Sequence, residues 1–182
     1  MLYYAGIGSR MTPPDVLEKI SQVLAPELAS LGFCLRSGGA DGADSAFEVG
    51  ADRVQGQKEI YLPWKSFNKS TSNLYQVTES ALELAQRFHP AWQRLNWAAQ
   101  KLMARNGYQV LGLDLQTPVA FVVCYTSDGK ASGGTGQALR IAKSLNISIF
   151  NLHDPLAIDS CLEYAKKLTV PLTARQRLLS RL

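Results

Sequence analysis

Three apolar runs in this chain each end in a glycine-rich turn that leads into a helical pattern. That repetition constrains the fold more than any other feature. YYAGIG is followed by SR and a helix, FCLRS by GGADGAD and a helix, and PVAFVVCYT by SDGKASGGTG and a helix. Short apolar runs bounded by turn signals read as buried strands. Strands that alternate with helices pair in parallel, because a parallel neighbour is reached only through a long crossover. The expected class is therefore α/β, a mostly parallel sheet with helices on both faces. PVAFVVCYT is apolar on both sides and is expected in the interior of that sheet. A chain of 182 residues, 46% hydrophobic and 19% charged, suits one domain spanning 1–182. Residues 171–182 read as a basic C-terminal helix or tail.

The remaining elements follow from periodicity and caps. Pro13, Pro14 and Asp15 open a helix whose apolar positions Val16, Ile20, Val23, Leu24, Leu28 and Leu31 keep helical spacing, and Gly32 stops it. A second helix is expected from near Ala40, and KEIYLPW is a third strand. Helical patterning runs from Leu74 to Arg87 and again from His89-Pro90 to about Arg105. A helix near Gln137, the strand ISIFNL and a helix from Asp154 to Leu168 complete the series.

Composition narrows the function. A formal net charge of +4 suits an anionic ligand such as a nucleotide without demanding nucleic acid. Cys34 and Cys124 sit inside apolar runs and Cys161 stands alone, so they read as small buried hydrophobes. No CxxC pair points to zinc, and neither a metal nor a cofactor is expected. No signal peptide and no run of about 18 apolar residues is present, so a cytoplasmic protein without a membrane partner is expected.

The glycine turns carry the chemistry. In an open parallel sheet, ligands bind beyond the carboxyl ends of the strands. Gly8, Ser9 and Arg10 follow the first strand, and Ser37, Gly38 and Gly39 the second. SGGTGQ opens a helix without an acid in its first turn, so Gly133, Gly134, Thr135, Gly136 and Gln137 form the expected phosphate site. Arg10 is a candidate clamp. GxxxxGK[ST] is absent and GIGSR is not GxGxxG, so neither a P-loop enzyme nor a standard dinucleotide enzyme is indicated. Asp41, Asp44 and Glu48 are spaced to share one helix face. Acids at a helix start also favour the dipole, which is the bland account of them. Otherwise they suit sugar hydroxyls, or acid-base work on a glycosidic bond. Trp64 follows YLP at a strand end, where a base can stack on it. Trp92 and Trp97 read as core packing at least as readily.

YAGIGSR, then RSGGADGADSAFEVGA, then Arg105-Asn106, then SGGTGQALRIA resembles the Rossmann-like domain of the DNA-processing protein A family. The resemblance covers roughly residues 2–152. It extends more distantly to the wider SLOG superfamily, which includes the lonely-guy nucleoside-monophosphate phosphoribohydrolases. It implies a Rossmann-like fold, a nucleotide or phosphorylated-nucleoside ligand, and roles for Arg105 in catalysis and Asn106 in ligand binding. Asp41, Asp44 and Glu48 are the acids available for such catalysis. The lonely-guy hydrolases carry a PGGxGTxxE motif. Here Ser132, Gln137 and Arg140 stand at its proline, threonine and glutamate places. The readings that follow are a nucleotide-binding protein with or without N-glycosidic cleavage, a sensor or sequestering protein for a nucleotide signal, and a single-stranded DNA-binding protein. A homo-oligomer is expected.

Overall fold

The structure is a computed structural model, and it describes residues 1–170. The basic segment read at 171–182 lies outside the described residues. Five strands form one sheet: β1 (Leu2–Gly8), β2 (Phe33–Ser37), β3 (Lys58–Ile60), β4 (Phe121–Tyr125) and β5 (Ser148–Asn151). Their order is β3-β2-β1-β4-β5, and every pairing is parallel. β4 is interior, between β1 and β5, as its two apolar faces require. β3 is shorter than KEIYLPW suggests. Pro63 has no N–H for a ladder, and Tyr61 makes only an isolated bridge to Leu74.

Seven α-helices cover the two faces of the sheet among the described residues: α1 (Pro14–Lys19), α2 (Ala25–Ser30), α3 (Ala43–Asp52), α4 (Glu79–Phe88), α5 (Trp97–Leu111), α6 (Gly133–Ser144) and α7 (Ala157–Thr169). On one face, Tyr4, Phe33, Leu35 and Phe121 pack with Leu24, Phe47 and Cys161 of the α1–α2 segment, α3 and α7. On the other, Ala5, Ile7, Val122 and Cys124 pack with Val110 of α5 and Leu139 and Ile141 of α6. The alternation along β1, with Tyr4 to one layer and Ala5 to the other, follows from the two-residue period of a strand. Gly6 lets α3 approach, since a Cβ there would lie 2.6 Å from Phe47.

The helices depart from the expected spans for local reasons. The first expected helix is interrupted by a π-helical turn, Ile20–Leu24, where the Ala25 N–H reaches back to the Ile20 carbonyl. Pro26 cannot donate to the residue a turn earlier, and a wider turn absorbs that loss. α3 begins at Ala43 rather than Ala40, so Asp41 is not on the helix at all. α4 begins at Glu79, because Leu74 pairs with the sheet and Thr78 caps the helix by accepting from the Ala81 N–H. α5 begins after Asn96, which accepts from the Ala99 N–H, and is preceded by a short 3₁₀ turn, Trp92–Arg94. It also runs on to Leu111, past Arg105. Gly107 does not break it but lets Leu84 of α4 close in, to 3.0 Å of where a Cβ would sit. Gly112, at φ +77°, ends it.

Candidate functional site

The chain fills β1, β2 and β3 on one side of β1 and then crosses to β4 on the other. That switch point opens a crevice at the carboxyl ends of β1 and β4. A cavity of about 420 Å³ occupies it, lined by residues 7–10 at the end of β1, Ala40 and Asp44, residues of α5 between Leu102 and Gln109, Thr126 and Ser127 after β4, and residues 132–135 at the start of α6.

Asp44 stands in the first turn of α3 and is 3% exposed. Its Oδ1 accepts from the Gly8 N–H at 3.1 Å, and its Oδ2 accepts from the Ala40 N–H at 3.5 Å. Arg105 Nη1 donates to the same Oδ2 at 3.4 Å. Burial pushes the Asp44 carboxyl above the usual carboxylate range, against the pull of Arg105 and the two N–H groups. Burial also lowers the Arg105 guanidinium, and Asp44 partly restores it. Arg105 Nε is buried without a hydrogen-bond partner.

Glycines make room for this pair. A Cβ on Gly38 would lie 1.1 Å from Arg105 Nη1. Gly42, at φ +81°, carries the chain past Ser9 and Arg10, and a Cβ there would lie 2.5 Å from the Ser9 carbonyl. Gln109, one turn beyond Arg105, faces Arg105, Gly38 and Asn106. Asn106 Nδ2 donates to the Gly134 carbonyl at 2.9 Å and so ties α5 to the start of α6.

α6 begins on Gly133 at φ +59°, and no side chain caps it. The first N–H groups of a helix have no intrahelical acceptor, and residues 133–135 line the cavity. The Gly136 N–H is already bonded to the Ser132 carbonyl at 2.9 Å. Ser132 Oγ donates to Asp128 at 2.9 Å. Arg10 is exposed on the rim.

The cavity thus brings together Gly8, Ser9, Arg10, Asp44, Arg105, Asn106, Gly133, Gly134 and Thr135 of the expected residues. The others lie elsewhere. Asp41 accepts from Asn68 Nδ2 at 2.7 Å. Glu48 pairs with Lys58 at 2.9 Å, and the three carboxylates do not share a face turned to the cavity. Ser37 Oγ donates to the Gly6 carbonyl between strands at 2.7 Å. Gly38 packs beneath the site against Arg105, and Gly39, at φ +62°, packs toward Leu62 and Ile60. Trp64 packs edge-on against Phe67. Gln137 is buried, donates to the Ala85 carbonyl at 2.9 Å and accepts from Arg140 at 2.8 Å. Arg140, at the place of the lonely-guy glutamate, also donates to the Phe88 carbonyl at 2.6 Å.

Leu102, Met103, Thr126 and Ser127 line the cavity without a sequence signal of their own, and Gln109 lines it too. The signal for Gln109 is its spacing of four from Arg105, which is visible only once α5 extends past Gly107. Among the described residues no group of three or more His, Cys, Asp or Glu is placed to hold a metal ion. No helix among them is long and apolar enough to cross a membrane. Cys34, Cys124 and Cys161 are buried, and burial pushes their thiols up to about 11, 12 and 12.

No family model matches this chain, and no curated protein matches it. Two solved structures do. DNA processing protein A from Streptococcus pneumoniae aligns with a TM-score of 0.54 and 15% identity, over 92% of this chain and 56% of that one. DNA processing protein A from Helicobacter pylori, whose structure concerns a single-stranded DNA binding mode, aligns with a TM-score of 0.53 and 21% identity. That match covers 82% of this chain and 64% of that one. The chain therefore spans less than two thirds of either protein. At these identities the likeness establishes a shared Rossmann-like α/β fold.

Proposed function

We propose that the cavity binds a phosphorylated nucleoside, with its phosphate between the first turn of α6 and the Arg105 guanidinium, and holds it without cleavage. The observation that carries this reading is the buried guanidinium. Arg105 is 5% exposed, lines the cavity and keeps an unpartnered Nε. A guanidinium that lines the cavity offers an oxyanion charge-assisted hydrogen bonds, and these are strong in a low-dielectric site. The α6 N-terminus adds backbone donors and the positive end of its dipole. Arg10 supplies a second cation at the rim, and Leu102 and Met103 an apolar wall for the sugar or base. The volume is in the range of small-ligand sites.

Cleaving an N-glycosidic bond requires a carboxylate with a lone pair free for water. Asp41 and Glu48 do not line the cavity, and Asp44, which does, is 3% exposed and paired with Arg105. Retention therefore has more support than turnover. A second reading takes the same phosphate from a single DNA strand. The likeness to DNA processing protein A favours it, since the Helicobacter pylori structure is described by its single-stranded DNA binding mode.

Calorimetric titration with nucleoside monophosphates and with short oligonucleotides tests both readings. One saturable mononucleotide site is expected, lost in Arg105→Met, with the nucleotide recovered intact by mass spectrometry. Release of free base would restore the hydrolase reading. No binding of any nucleotide by the wild-type protein would remove the nucleotide reading. A strand held through six phosphates loses roughly 10³-fold or more in affinity between 50 and 200 mM salt. Such binding, undisplaced by mononucleotides, would put the DNA reading first.

A further inference from the structure

Arg105, Asn106 and Gln109 lie on one stretch of α5 and are 5%, 6% and 2% exposed. Three buried polar side chains on a single helix are costly unless their donors and acceptors are met. Gln109 decides how they are met. With its amide oriented by these partners, its oxygen accepts from Arg105 Nη1 and from the Gly38 N–H, each at 2.9 Å, and its nitrogen donates to Asn106 Oδ1 at 3.0 Å. Donors on one side and an acceptor on the other admit only this orientation of the amide. Because Asn106 Oδ1 is occupied by Gln109, Asn106 Nδ2 is turned to the Gly134 carbonyl. That carbonyl shares a planar trans peptide with the Thr135 N–H, which points the opposite way. One amide therefore orients both the guanidinium at the floor of the cavity and the first-turn peptide in its wall. Gly38 reserves the space, since a Cβ there would lie 2.5 Å from the Gln109 amide as well as against Arg105.

We propose that Gln109 is a positioning residue for anion binding, acting through Arg105 and Asn106 to aim the donors of the cavity at an oxyanion. This inference rests on the anion-binding reading of the cavity. Gln109→Glu keeps the shape and the acceptors toward Arg105 and Gly38. Ionised, it cannot donate to Asn106 Oδ1, and it sets a negative charge against the incoming anion. Protonated, it regains the donor and loses the charge. Arg105 on its own helix faces it, and Asp44 from α3 and Arg10 from the loop after β1 act on that guanidinium. Two carboxylates sharing one guanidinium in a buried site raise the titration of the introduced acid.

Inorganic sulfate is the probe, because it does not titrate between pH 5 and 8. The variant is expected to bind sulfate about 10-fold more weakly than wild type at pH 8, a loss that corresponds to one charge-assisted hydrogen bond. The loss should shrink at pH 5, with wild type measured alongside to account for the titration of Asp44. Gln109→Met should be weak at both pH values. If Gln109→Glu does not fold, Asn106→Ser carries the test, with weakened sulfate binding by a folded protein expected. Wild-type affinity in Gln109→Glu at pH 8, a loss that does not recover at pH 5, or wild-type affinity in Asn106→Ser would overturn the inference and leave the anion site standing. Absence of sulfate binding by the wild-type protein would overturn the site itself.

Discussion

The two longest glycine loops, after β2 and after β4, are both rich in glycine but use it differently. In the first, glycines exist for the protein's own atoms. A Cβ on Gly38 would strike Arg105 at 1.1 Å, and one on Gly42 would meet the Ser9 carbonyl at 2.5 Å. In the second, Gly136 is packed just as tightly, with a Cβ 2.3 Å from the Ala131 carbonyl, but a Cβ on Gly133 would meet nothing within 4 Å, and one on Gly134 only Met103 at 3.7 Å. The first loop is filled from within by an ion pair. The second is open at Gly133 and Gly134, which line the cavity. Glycine in a sequence signals close approach, and only the neighbours show whether the approaching group belongs to the chain or to a ligand.

Substitutions break or sharpen this contrast. The largest effect is expected for Gly38→Ala, which drives a methyl into the buried guanidinium. Displacing Arg105 uncouples a buried pair, and a loss of about 3–5 kcal/mol in urea unfolding is expected. A stable Gly38→Ala protein would show that Arg105 has another place to go, and the contrast would fail.

Asp44→Asn comes next. It keeps the size and removes the Asp44 charge that pairs with Arg105. The pH dependence has a definite sign. With its folded pKa raised above the ordinary aspartate value of 3.8, Asp44 binds its proton more tightly in the folded state. Its contribution favours folding most below 3.8 and is lost as pH rises through the folded value. Stability curves between pH 3 and 7 should therefore show this downward component in wild type and lack it in Asp44→Asn. Equal slopes in the two proteins would mean that burial does not dominate the Asp44 titration.

In the open loop, Gly134→Leu should change affinity rather than stability. The helix tolerates leucine, so unfolding free energy should stay within about 1 kcal/mol of wild type. Sulfate and nucleotide binding should fall at least about 10-fold, because the side chain enters the cavity. Unchanged binding would remove the loop from the site. Gly133→Ala is the smallest change. Its left-handed backbone costs about 1 kcal/mol with a side chain and no clash adds to it. A melting-temperature shift of more than about 8 °C would show that this residue is packed after all.

The amino-acid sequence by itself determined the layered α/β class, the interior place of β4 and the position of the glycine loops at strand ends. Those properties follow from apolar runs, helical spacing and caps, all read within a few residues. Caps also set where α4 and α5 begin, through Thr78 and Asn96, although the extended pairing of Leu74 and the turn at Trp92–Arg94 shortened both expected helices. Which residues meet in the cavity was settled by the tertiary structure. Asp41, Asp44 and Glu48 look alike in the sequence, yet the helix starts after the first, buries the second and ion-pairs the third at the surface. Arg105 reaches Asp44 across 61 residues of chain, and Gln109 joins them only because α5 continues past Gly107. Short-range patterning carries no information about the phase of one helix against another 61 residues away. The packing of α3 and α5 over the same strand ends supplies it, and with it the difference between a glycine that shelters an arginine and one that faces a ligand.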